Sequence, residues 1–237
     1  MKNIFITATG TDAGKTVVSR AIIRAFHNRG IKVSVNKPVE SGVPYINSKP
    51  APHDAAALKK AAKSEVSINE ICPYMFRDPI SPHLSAANEN RTIDKNKILK
   101  LINLNDNSAD IKIIEGAGGF LTPVTNSLLY GDLIKESGIP IIIVAPDILG
   151  TINATLLTIE AARKRDIEIL GVILNNCAQN SFGNKEAIAA FGGVKILGSF
   201  PNVNQDSTDD ELAEIAERTI NINYISSTVS KITFPNK

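Results

Sequence analysis

The stretch Ile4-Phe5-Ile6-Thr7-Ala8-Thr9-Gly10-Thr11-Asp12-Ala13-Gly14-Lys15-Thr16 decides the fold. Its first four residues are apolar or β-branched and predict a short buried strand, Ile4 to Thr7. From Lys15 to Asn28, residues Val17, Val18, Ala21, Ile22, Ala25 and Phe26 recur at helical spacing, and Gly30 fits the stop. A Gly-Lys-Thr placed between a strand and a helix is a phosphate loop. Gly14 lets backbone approach a phosphate, and the free amides opening the helix point at it with the helix dipole behind them. Lys15 can reach β/γ oxygens, and the Thr16 hydroxyl can join a Mg²⁺ shell. The strict motif puts glycine at position 9; this chain has Thr9, with Gly10 one place late.

Working outward, strands are expected at Val33 to Lys37, Ile111 to Ile114, Ile139 to Ala145, Ile167 to Leu174 and Val194 to Phe200. Helical patterns lie between them at Asp54 to Ala62, Asp94 to Leu101, Asp132 to Ser137, Thr151 to Lys164, Lys185 to Ala190 and Asp209 to Thr219. Alternation of this kind predicts an α/β, P-loop NTPase-like architecture: a mostly parallel sheet with helices on both faces. No repeat or linker divides the chain, so residues 1–237 are expected to form one domain. Ser41 to Pro52, rich in Pro, Ser and Asn, is expected to be a long surface loop.

Composition narrows the partners. The 26 Lys and Arg against 24 Asp and Glu leave +2, too little basic charge for a nucleic-acid partner. The apolar run Ile139 to Pro146 is eight residues long, far below the ~20 that span a bilayer, so no membrane partner is expected. Met1 to Ile6 lacks the apolar stretch of a signal peptide, and Cys72 and Cys177 have neither metal spacing nor a disulfide framework. A cytoplasmic protein is the expectation.

Further chemistry gathers at strand ends, where ligands bind in open α/β sheets. The second strand runs into Lys37-Pro38-Val39-Glu40-Ser41-Gly42; Lys37 can stabilise charge on a reacting group, and Ser41 can bond a carboxylate or carbamate oxygen. The third ends in Glu115-Gly116-Ala117-Gly118-Gly119. A carboxylate at the tip of a buried strand requires a cation or metal, and the glycines let backbone crowd a ligand. Asp54, at a helix start, is either an N-cap or a second metal carboxylate. Asn175-Asn176 ends the fifth strand, where an amide can read adenine or simply close a turn.

Taken in order, Thr11-Asp12-Ala13-Gly14-Lys15-Thr16, Lys37 to Gly42, Ser81-Pro82-His83-Leu84-Ser85-Ala86, Glu115 to Gly119 and Leu149-Gly150-Thr151-Ile152-Asn153 closely resemble the dethiobiotin synthase family over nearly the whole chain. The resemblance implies a homodimer with an interfacial active site, taking 7,8-diaminononanoate, CO₂ and MgATP to dethiobiotin, ADP and phosphate. It implies that Asp12, Ala13, Gly14, Lys15, Thr16, Val17, Asp54, Glu115, Gly116, Ala117 and Gly118 hold the nucleotide. Asn175, Asn176, Pro201, Asn202 and Val203 would hold the adenine end. Lys15 and Lys37 would be catalytic, and Thr16, Asp54 and Glu115 would surround Mg²⁺. Thr11 and Ser41 would contact the diamine or its carbamate, with Gly150 and Asn153 meeting its carboxylate end from the partner subunit. Ala8 and Asp12 depart from the glycine and Glu that many members carry, and Asn176 from a frequent Asp. His83, read as lying in a loop, can either touch the substrate or pack and hydrogen-bond the loop, and packing is the expectation.

Two rivals share the scaffold. One is an amide-forming synthetase with an attached glutaminase, for which neither cysteine has suitable context and no extension is expected beyond residue 237. The other is a partition or positioning ATPase, which typically carries an early lysine where this chain has Ala8-Thr9-Gly10. Such proteins also use a basic patch or amphipathic tail, whereas Ser226 to Lys237 is short and mixed.

Overall fold

A computed structural model describes residues 2–104, 108–177 and 183–231. Its centre is a six-stranded sheet of β1 (Lys2–Ala8), β2 (Val33–Asn36), β3 (Ile111–Glu115), β4 (Ile141–Pro146), β5 (Ile169–Cys177) and β6 (Ile196–Pro201). The spatial order is β6-β5-β4-β1-β3-β2, and every neighbouring pair is parallel. From β1 the chain first builds outward to β2 and β3 on one side, then returns to β4 on the other. The tip of β1 is therefore the switch point of the sheet, where a crevice opens.

The helices are α1 (Lys15–Asn28), α2 (His53–Ala61), α3 (Ile68–Ile71), α4 (Pro82–Asn88), α5 (Lys95–Asn103), α6 (Tyr130–Ser137), α7 (Thr151–Arg163), α8 (Asn184–Gly192), α9 (Asp209–Thr219) and α10 (Ile222–Lys231). Side chains alternate across a strand, so β1 sends Ile4 and Ile6 to one face and Phe5 to the other. Ile4 and Ile6 join Ile22 and Phe26 of α1, Leu58 of α2, Leu212 of α9 and Ile225 of α10. Phe5 joins Ile98 of α5, Leu133 of α6, Ile159 of α7 and Ile188 of α8. Both faces are thus covered, which explains the almost unbroken apolar sequence of β4.

One local expectation needs correction and two gain detail. His83 lies in α4, not in a loop: Pro82 occupies the first turn, where a missing N–H costs nothing. Within Ser41 to Pro52, Tyr45–Ile46 and Lys49–Pro50 pair antiparallel. Asn47 and Ser48 take φ of 49° and 61° to turn that hairpin. The mixed tail from Ser226 begins inside α10, whose Ile222 and Ile225 are buried; residues 232–237 lie outside the described ones. Among the described residues no helix is long and apolar enough to cross a membrane.

Candidate active site

The crevice at the tip of β1 opens as a cleft of about 630 Å³. Its floor is the phosphate loop. Gly14 takes φ +84° and caps α1 without any side-chain acceptor, while the first bonded amide of the helix is that of Val18, on Gly14 O at 3.1 Å. The amides before it have no acceptor within the helix and face the cleft end. No acidic residue stands in the first turn, so the dipole is left for an anion.

Asn175, at the tip of β5, braces this loop from behind. Its Nδ2 donates to Ala13 O at 3.1 Å, and a Cβ on residue 14 would stand 1.9 Å from that nitrogen. Glycine at 14 is therefore required twice, by the backbone angle and by this contact. Asn175 Oδ1 is buried without a hydrogen-bond partner.

Above the loop sits a corner of four polar side chains. Glu115, fully buried at the end of β3, accepts at Oε1 from Lys37 Nζ at 2.7 Å and from Thr16 Oγ1 at 2.9 Å. Lys37 also donates to Asp54 Oδ2 at 2.8 Å and to Gly116 O at 3.2 Å, which engages all three of its donors. Burial alone would lower the Lys37 pKa, but Glu115 and Asp54 more than offset it and hold the ammonium above the ordinary lysine value. Burial would likewise raise the Asp54 carboxyl; the Lys37 ammonium and the Thr16 hydroxyl keep it below the usual range. Lys15 has only a long contact to Gly10 O, 3.4 Å, and burial beside Lys37 brings its pKa down to about 8. Among the described residues it forms no close ion pair, although Glu115, Asp54 and Asp12 act on it from farther away.

Two carboxylates and a hydroxyl are hard oxygen donors of the type Mg²⁺ takes, and Glu115 Oε2 is buried with no hydrogen-bond partner. Among the described residues no cluster of three His, Cys, Asp or Glu side chains occurs, so Thr16, Asp54 and Glu115 suit an ion that completes its shell with phosphate oxygens and water.

Of the residues expected from sequence, Thr11, Asp12, Gly14, Lys15, Thr16, Val17, Lys37, Ser41, Asp54, Ala117 and Gly118 line this one cleft. Ala13, Glu115 and Gly116 form its buried underside. The Ser41 hydroxyl is buried without a hydrogen-bond partner. Asn176 is exposed with φ 58°, and Pro201 ends β6, with Asn202 and Val203 following it; none of these lines the cleft. Gly150 and Asn153, exposed at the start of α7, do not line it either.

The far wall, formed by Glu40, Gly42, Pro79, Ile80, Ser81 and Pro82, was not among the expected site residues. Its signal was present, since Glu40, Gly42, Ser81 and Pro82 fall inside motifs already noted. His83 Nδ1 lies 3.0 Å from Ser81 Oγ, a contact internal to the start of α4.

Comparison with known proteins agrees with this geometry. The AAA domain family model matches residues 2–209. The ATP-dependent dethiobiotin synthetase BioD of Bacillus cereus (strain G9842) is 37% identical over 229 residues, 95% of this chain and 93% of that protein. The BioD of Bacillus anthracis (strain CDC 684 / NRRL 3495) is 35% identical over the same shares of each chain. In fold, the chain is similar to a ParA family ATPase from Chlorobium tepidum TLS (TM-score 0.57, 14% identity, 98% and 100% of the two chains). It is also similar to a chain of the Aquifex aeolicus MinC:MinD cell division complex (TM-score 0.56, 16% identity, 100% and 99% of the two chains). These structural likenesses speak for the architecture alone; the phosphate loop, the Lys37 corner and identity along nearly the full length place the chain in the ATP-dependent dethiobiotin synthetase family.

Proposed function

We propose that this chain closes the ureido ring of dethiobiotin from 7,8-diaminononanoate, CO₂ and MgATP. The observation that carries the reading is the joining of two basic side chains, two carboxylates and the open hydroxyl of Ser41 with one phosphate loop. No nucleophilic side chain is needed. One substrate amine takes up CO₂ as a carbamate, whose oxygen attacks the γ-phosphorus and releases ADP. The second amine then attacks the carbonyl carbon of the mixed anhydride, closing the ring as phosphate departs.

The protein contributes position and charge, which are the main requirements of phosphoryl transfer. The open amides of α1 orient the phosphates, and Lys15 neutralises the transferring group. Thr16, Asp54 and Glu115 would hold Mg²⁺, which when bound spreads the charge of the phosphate oxygens. Lys37 has each donor engaged, so neutralising either of its carboxylates releases a donor toward a carbamate oxygen beside Ser41. Thr11 stands across the same cleft as a second contact for the diamine. Asn175 retains one free acceptor, Oδ1, suited to an adenine amino group; Asn176 and residues 201–203 complete that end.

The substrate's carboxylate end is assigned to Gly150 and Asn153 of a second subunit. In support, these residues stand outside the cleft, and Ile148 and Leu149 beside them expose 57% and all of their surface. Large exposed apolar side chains beside polar candidates mark an interface.

The partition-ATPase reading has only the fold in its favour. ADP release measured with diamine and bicarbonate omitted in turn decides between them. We expect ADP only when both are present, together with a cyclic urea; ATP consumption indifferent to the diamine, with no urea formed, overturns the assignment.

A further inference from the structure

One buried carboxylate in the cleft wall has no part in the chemistry above. Glu40 is 5% exposed, and it contacts neither lysine within hydrogen-bonding distance among the bonds of the site. Its two oxygens are spent on the backbone of α2: Oε1 accepts from the amide of Asp54 at 3.0 Å, and Oε2 from that of Ala55 at 2.9 Å. The helix needs such help, because the residue before it is Pro52, which offers no side-chain cap. The cap comes instead from a different segment of the chain.

Glu40 is itself firmly held. Val39–Glu40 pairs parallel with Tyr74–Met75, and Glu40 O accepts from Phe76 N at 2.9 Å. Lys37 N donates to Ile71 O at 3.0 Å at the head of the same segment. One rigid run of chain thus carries Lys37 and, three residues on, the group that fixes the backbone of Asp54. The Asp54 side chain departs from that backbone toward Lys37.

We propose that Glu40 is a positioning residue for the metal corner, fixing the first turn of α2 so that Asp54 meets Lys37, Thr16 and the incoming cation at a set distance. Glu40 acts through the backbone of α2, where each of its oxygens accepts one amide. The proposal rests on the reading of Asp54 as a metal carboxylate. Groups that orient a metal ligand carry roughly ten- to hundredfold of metal affinity.

The test is Mn²⁺ binding, followed by electron paramagnetic resonance, to the full chain saturated with a non-hydrolysable ATP analogue. Glu40→Ala is expected to weaken Mn²⁺ by about tenfold or more, and Glu40→Gln, which keeps one acceptor, by less. In an Asp54→Ala background Glu40→Ala should add nothing, because its route to the metal is gone. Should Glu40→Ala fail to fold, Glu40→Gln alone and in the Asp54→Ala background carries the same comparison. Wild-type affinity in the Glu40 variants, or an equal loss whether or not Asp54 is present, overturns the proposal. Unchanged affinity in Asp54→Ala overturns the metal reading of Asp54, and this inference with it.

Discussion

On the proposed function, the corner of Thr16, Lys37, Asp54 and Glu115 would carry the chemistry and the rim of Gly150, Asn153, Asn176 and Asn202 the recognition of its ligands, and the two are built in opposite ways. In the corner every charge already has a partner: Lys37 and Glu115 are buried at strand ends, where a charge without a partner is costly, and half-buried Asp54 reaches Lys37 from α2. On the rim the same four positions are exposed. On that proposal the chain builds its chemical centre unaided and leaves its recognition ends to a ligand or a second subunit. Substitutions in the corner should disturb turnover and folding together, whereas those on the rim should disturb binding alone.

The largest effect is expected for Lys37→Ala. Turnover should fall by roughly a hundred- to a thousandfold while the nucleotide still binds. Loss of the cation beside fully buried Glu115 should also cost about 3–5 kcal/mol in denaturant unfolding. Adding Glu115→Gln should restore much of that stability and none of the turnover. Full activity in Lys37→Ala would erase the contrast between the two regions.

Gly14→Ala comes next. The backbone at φ +84° and the contact with Asn175 should each resist the new methyl, and nucleotide affinity measured by calorimetry should drop by roughly ten- to a hundredfold. Asn175→Ala in the same chain should recover only part, since the backbone angle remains.

On the rim, Asn153→Ala should raise KM for the diamine several-fold, about the loss of one hydrogen bond, with kcat nearly unchanged. Leu149→Asp should make specific activity depend on protein concentration in steady-state assays if this surface joins subunits. Constant activity across dilution, with a monomer in sedimentation, would separate the rim from any interface.

A further effect is with pH. Free Lys15 has a pKa of about 8, and bound phosphate favours its ammonium, so the complex titrates higher. Between the two values binding takes up a proton, and affinity for an ATP analogue should be flat below about pH 7 and decline above about pH 8, by at most tenfold per unit.

The same division governs what sequence alone reveals. Lys37 and Glu115 stand out as charges at strand ends, and β1 to β6 appear in the sequence with bounds off by up to three residues. Helix α4 does not, because seven residues carry too little periodicity to outweigh a Ser-Pro start. In α10, Ile222 and Ile225 are buried amid Asn and Ser, and only packing reveals that face. Glu40 is visible as a residue but not as a cap, because its partners lie in a helix that tertiary folding brings to it. The brace of Asn175 on Ala13, across most of the chain, is hidden for the same reason.

The central claim is that a carbamate, and not water, attacks the phosphorus in this corner. Oxygen-18-labelled bicarbonate tests it directly under single-turnover conditions too short for exchange with water. The account predicts that the phosphate released with each ring carries one labelled oxygen and that the urea carbonyl keeps the other. Unlabelled phosphate appearing at the same rate as ADP would show attack by water and contradict it.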